Sequence, residues 1–179
     1  WSDLASFLPS PIEFGPHIGR VVEDALEAAQ AAPNNPSTVA RLGMVLHAYD
    51  KVEAAARCYE RALDLKQDQV AWLYYLGLIR AGLGQHDEAL DALNQAVRLD
   101  PSSAPARLKL ADVLLDTGEV EQSRTLYAEL TRENPNFAQA AYGLGRSLAE
   151  LGQPAAAVEQ LTRTIELAPE YGAAHYALG

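Results

Sequence analysis

The chain has 179 residues, 49% of them hydrophobic, and a formal net charge of −10 at pH 7. That apolar content suits one ordinary domain or a short array of repeats. The acidic balance argues against nucleic-acid binding, which needs basic groups to displace counterions from phosphates, and no apolar stretch approaches the roughly 20 residues of a membrane span.

In chain order, residues 1–17 hold Pro9, Pro11 and Pro16, which oppose a regular helix, so an irregular N-terminal arm or cap is predicted there. The chain opens on Trp1 rather than Met, as expected of a processed product or an excised segment, which leaves room for a removed leader. Phe7, Leu8, Ile12 and Phe14 make the arm apolar enough to cover a neighbouring molecule's groove. Residues 18–35 carry a helical pattern from Ile18 to Ala32 that stops at Pro33, read as a capping or half-repeat helix.

From residue 36 the pattern recurs. Gly84, Gly118 and Gly152 stand 34 residues apart, and Pro33, Pro101, Pro135 and Pro169 keep that register, with Gln67 where a proline is due. Small residues recur in step at Gly43, Gly77, Ala111 and Gly145, and again at Ala55, Ala89, Ser123 and Ala157. In residues 70–103, Leu73, Leu76, Ile79 and Leu83 have helical spacing, and Gly84-Gln85-His86 is expected to break that helix. Asp87 and Glu88 favour the start of a second helix, which Leu90, Leu93, Val97 and Leu99 should line inwardly, with Ala92 on its outer face. The unit is helix, turn, helix. Four such units are predicted, 36–69, 70–103, 104–137 and 138–171, and residues 172–179 begin a fifth. That last stretch, GAAHYALG, has no charge, so either the natural chain continues past Gly179 or the open C-terminal end forms a homo-oligomer.

These marks resemble the tetratricopeptide repeat (TPR), whose period is 34 residues. Leu42-Gly43, Leu76-Gly77 and Leu144-Gly145 match one of its signatures, and Ala55 with Tyr59, Ala89 with Leu93 and Ala157 with Leu161 match another. The family's Trp is displaced one place, to Trp72, and is missing from the other units. Arg outnumbers Lys and Ala and Leu abound, which fits a GC-rich bacterium and a bacterial type of TPR protein. The resemblance implies an all-α fold, a right-handed α-solenoid of antiparallel helix pairs, whose first helices line a concave groove for partner segments.

By that register the groove positions are Arg41, Met44, His47 and Ala48, then Tyr74, Tyr75, Leu78 and Ala81. They continue with Leu108, Lys109, Asp112 and Asp116, then Tyr142, Arg146 and Glu150, and finally Tyr176. The three cations and three anions among them cancel, so the net acid lies on the second helices and the N-terminal segment, read as a solvating coat. Tyr74, Leu78, Leu108, Tyr142 and Tyr176 suit anchors for a peptide. The alternative, that these tyrosines pack against the neighbouring repeat, stays open. TPR repeats that clamp C-terminal carboxylates need Lys, Asn and Arg at places occupied here by Ala40, Met44, Tyr75, Pro105 and Lys109, and only Lys109 fits.

Signs of catalysis are few. His86-Asp87-Glu88 reads as a turn followed by helix-starting acids, and His17, His47 and His175 share no metal-ligand spacing. Gly143 to Ser147 lacks the Lys of a phosphate loop, and Cys58 has no supporting His. No enzyme activity, cofactor or metal is expected. The reading is a scaffold that binds a protein or peptide partner, with no nucleic acid and no membrane insertion. Two alternatives are a structural or self-assembly element and the regulatory region of a larger enzyme. The compartment is left open between a bacterial cytoplasm and, if a leader was removed, a periplasm.

Overall fold

The computed structural model describes residues 1–11 and 15–178, so Ile12 and Phe14 of the arm, and Gly179, lie outside the described residues. Among the described residues there are helices and no strand, and no helix is long and apolar enough to cross a membrane. The chain divides into two compact units, Trp1–Asp100 and Pro101–Gly179.

The first unit holds α1 (Ser2–Ala5), α2 (Gly15–Ala31), α3 (Pro36–Ala48), α4 (Val52–Leu65), α5 (Val70–Gly82) and α6 (His86–Leu99). The second holds α7 (Ala104–Asp116), α8 (Val120–Glu133), α9 (Ala138–Glu150), α10 (Pro154–Leu167) and α11 (Gly172–Leu178). Helix α2 begins three residues ahead of the expected Ile18. Pro16 does not prevent this, because the first-turn N–H groups of a helix have no intrahelical partner to lose. His86, expected in the turn, is the first residue of α6.

The turns between paired helices share one device. After α5, Gly84 takes φ +73°, its N–H donates to the Ala81 carbonyl at 3.0 Å, and the Gln85 N–H donates to the Arg80 carbonyl at 2.9 Å. This pair of bonds is the Schellman ending, which needs a left-handed residue that glycine supplies without a Cβ penalty. Gly118 and Gly152 end α7 and α9 in the same way. At the end of α3 the place is taken by Asp50, with φ +60° and the same two bonds, Asp50 to His47 and Lys51 to Leu46.

Helices within a pair sit close together. A Cβ on Gly77 would lie 2.6 Å from Leu93 Cγ, so α5 and α6 approach to a distance that only glycine allows. The buried face of α6 is Ala89, Ala92, Leu93 and Ala96, the i, i+3, i+4, i+7 stripe of a half-buried helix. Ala92 is therefore only 4% exposed, not on the outer face as expected, and Leu99, expected inside, is 43% exposed. The tight face selects small residues, so ranking α6 positions by hydrophobic bulk turned the predicted stripe towards Leu99.

In the first unit Leu4 of the arm joins the core with Val22, Leu46 and Tyr59, Leu8 packs against it, and the Arg57 guanidinium lies 3.5 Å from the Phe7 ring centroid. The described part of the arm thus covers its own unit. Cys58 is fully buried beneath Gly43, and burial pushes its thiol up to about 12. The second unit's core gathers Ala111, Leu115, Tyr127, Leu130, Ala140, Leu144, Leu148 and Ala157. Ser123 is accommodated there because its hydroxyl donates to the Ala111 carbonyl at 2.8 Å. Buried Arg107 bonds Glu133 at 2.6 Å and Glu129 at 3.0 Å, which ties α7 to α8.

Candidate functional site

In each unit, the face of the first helices that the core leaves free carries the candidate site. On α3, Arg41 is exposed, Met44 is 49% exposed and His47 is half-buried. The His47 ring meets Tyr75 of α5 edge-on, with centroids 6.0 Å apart, and Tyr74 stands 5.4 Å from Tyr75. Tyr75 in turn stacks on Tyr59 of α4, 5.8 Å away with only 15° between the planes. Met44, His47, Ala48, Tyr59 and Tyr75 enclose an open cavity of about 270 Å³. Tyr74, Leu78 and Ala81 are half-buried on α5.

The Tyr59 ring is fully buried, and its hydroxyl has no hydrogen-bond partner. Burial pushes its phenol well above the ordinary value, and Tyr75 and Cys58 add to the shift. Sequence register matched Tyr59 to a signature of the repeat and said nothing of its polar tip.

The second unit is organised differently. On α7, Leu108 and Lys109 are half-buried, and Asp112 is not a free groove charge. Asp112 Oδ1 accepts a bond from the Tyr127 hydroxyl at 2.6 Å. Burial lifts the Asp112 carboxyl, partly opposed by that bond and by Lys109. On α9, the Arg146 guanidinium lies 3.7 Å from Asp116 and 6.0 Å from the Tyr142 ring centroid. Tyr142 also packs on Tyr171, 5.0 Å away, a residue the sequence did not single out. Tyr142 therefore packs as well as faces solvent. Glu150 is exposed, and Tyr176 of α11, at 91% exposure, stands almost wholly in solvent.

A second concavity lies outside the expected groove. In the first unit an open cleft of about 610 Å³ has Glu60, Asp64, Asp68, Glu88 and Asp91 among its lining, with Leu63, Leu73, Leu76, Ala92 and Leu99 as its apolar part. Glu60 is paired with Arg80. The acid read as a solvating coat thus edges a depression here. Among the described residues no group of three or more His, Cys, Asp or Glu is arranged to hold a metal ion.

Two family models described as tetratricopeptide repeat match the chain, one over residues 42–104 and 144–179, the other over residues 80–146. A BBSome complex member of Xenopus tropicalis is 30% identical over 133 residues, which is 70% of this chain and 26% of that protein. A peroxisomal targeting signal receptor of Candida albicans is 31% identical over 103 residues, 55% of this chain and 17% of the receptor. The chain thus spans about a quarter or less of these relatives. The crystal structure of YrrB, described as a TPR protein with an unusual peptide-binding site, superposes with a TM-score of 0.82 at 24% identity. It covers 89% of this chain and 82% of its own, a likeness of fold.

Proposed function

This chain belongs to the tetratricopeptide repeat family, and we propose that it is a protein-interaction scaffold whose first helices hold an extended segment of a partner protein. The observation that carries the reading is the unused face of those helices. In the first unit Met44, His47, Tyr74 and Leu78 share it, half-buried or exposed, and the first two of them line an open cavity. Methionine and tyrosine, which are enriched at protein interfaces, make half of that set. The relatives described as a receptor and a complex member, and the peptide-binding site described for YrrB, support the same class of partner.

The test is where a partner touches. A photo-crosslinking amino acid placed at Ala48 should trap the partner, whereas one at Asp91, in the outer acidic cleft, should not. Trapping only at Asp91 would move the site to the outer cleft. Binding on the inner face should also change little with salt, since its charges cancel and screening acts only on charge.

A second reading, self-association through the C-terminal end, rests on α11, where Tyr176 and Leu178 are exposed and only Ala174 is buried. Light scattering over a concentration series should then show a dimer or larger species that Leu178→Asp dissolves.

A further inference from the structure

The two buried tyrosines Tyr59 and Tyr127 occupy the same place in their repeats, 68 residues apart. Both rings are fully buried. Tyr127 donates to Asp112 at 2.6 Å. The residue 68 places before Asp112 is Met44, whose thioether accepts hydrogen bonds only weakly. Tyr59 has no partner. A buried hydroxyl without a partner is costly and uncommon in folded proteins.

The hydroxyl itself is sealed from solvent, and a cavity opens against its residue. The cavity of about 270 Å³ has Tyr59 in its wall, and Met44, the residue replacing the carboxylate, lines it too. No acidic residue does. The polar groups of its lining, the hydroxyls of Tyr59 and Tyr75 and the His47 ring, can all donate a hydrogen bond, and the exposed guanidinium of Arg41 stands one turn before Met44 on α3, outside the lining. A site that offers donors, holds no anion of its own and has apolar surface from Met44, Ala48 and the Tyr75 ring calls for an acceptor carried on an apolar stretch. Methionine suits the entrance, because its unbranched, flexible side chain can shift to admit a ligand.

We propose that the Tyr59 hydroxyl is a subsite for the side-chain carboxylate of an Asp or Glu in a partner segment lying along α3, which fills in trans the place that Asp112 fills within the second unit. The inference rests on the groove reading above and adds the chemistry of one contact. It differs from a carboxylate clamp, which would use Lys, Asn and Arg on the first helices. The key donor here sits on a second helix, at a core position.

The test uses the full chain and pooled heptapeptides, N-acetylated and C-amidated, with the central residue fixed as Asp, Glu, Asn or Gln and the others varied. On the wild-type protein the Asp and Glu pools should be retained about tenfold more than their amides. Tyr59→Phe should erase that preference, while Tyr127→Phe keeps it. Met44→Asp should also erase it, because the new carboxylate pairs with Tyr59 internally, and the Tyr59 hydroxyl proton should then become slow to exchange by NMR. Pools that bind without distinguishing acid from amide overturn the subsite and leave the groove reading standing. Failure of every pool to bind overturns both. A parallel set of Asn and Gln pools left with a free C-terminus tests the other source of a carboxylate, and retention of these above the amidated Asp and Glu pools overturns the side-chain source.

Discussion

Tyr59 and Tyr127 make a controlled comparison within one molecule. Each is the large aromatic of its repeat's second helix, and each is wholly buried. Around Tyr127 everything is internal: its hydroxyl bonds Asp112, and Gly143 leaves room for the ring, which a Cβ there would strike. Around Tyr59 the ring is equally packed, against Tyr75, but the sealed hydroxyl has nothing to bond, and a cavity opens against the same residue. These two repeats therefore keep the ring, where the other two place Leu93 and Leu161, while the hydroxyl's partner differs between them. Packing and hydrogen bonding separate at a single oxygen atom.

Removing both rings erases the difference and has the largest effect. Tyr59→Ala and Tyr127→Ala should each destabilise the chain by about 3–5 kcal/mol, as buried aromatics do when a cavity is left behind. Denaturant titration would show it. A much smaller loss at Tyr59 would mean that its ring contributes little packing, and the comparison would fail at its root.

Removing only the hydroxyls sharpens it. Tyr127→Phe strips a carboxylate of its donor and should cost about 1.5–3 kcal/mol, the range for bonds to charged groups. Tyr59→Phe should cost nothing or raise the denaturation midpoint, because no bond is lost and an unpaired group is removed. Equal losses at the two sites would show that Tyr59 has a partner in solution.

The turns offer a parallel contrast. Asp50 adopts the left-handed conformation that glycine takes at positions 84, 118 and 152. Asp50→Gly should stabilise by up to about 1 kcal/mol, since a side chain in that region is penalised and Asp only partly offsets it with local bonds. Gly84→Ala should lose a similar amount. Thermal melts of the two variants should move in opposite directions.

The smallest effect is a pH dependence. Burial raises the Asp112 carboxyl above its ordinary 3.8. A group whose folded pKa is raised contributes stability that is present below the unfolded value and lost as pH rises through the folded one. Asp112→Asn keeps an acceptor for Tyr127 but carries no charge to bury. Its stability relative to wild type should therefore grow as pH rises from about 4. Glu133, held below the usual carboxylate range by its bond to Arg107, acts with the opposite sign, weakening the fold as pH falls.

The helix pairs were legible in the sequence because glycine and proline punctuate them at a fixed spacing. Asp50 escaped notice as a turn residue, although subtracting 34 from Gly84 finds it. The inner faces were legible only as positions. Register put Asp112 and Met44 in one class, yet one is bonded to a core tyrosine and the other opens onto a cavity. That distinction depends on where a neighbour's hydroxyl ends, which periodicity does not encode. Tyr171 lies in a link between helices, where helical spacing carries no information, and so its packing on Tyr142 emerged only in three dimensions.

Cys58 carries a practical consequence. It is the chain's single thiol, has no exposed surface, and is held in its unreactive protonated form by burial. A thiol-specific reagent can reach it only when α3 and α4 part, since Gly43 covers it. The alkylation rate of the unmodified protein is thus a built-in clock for opening of the first unit. A ligand that settles over Met44 and His47 should slow that clock in proportion to its occupancy, which allows binding to be followed without attaching a label to the groove.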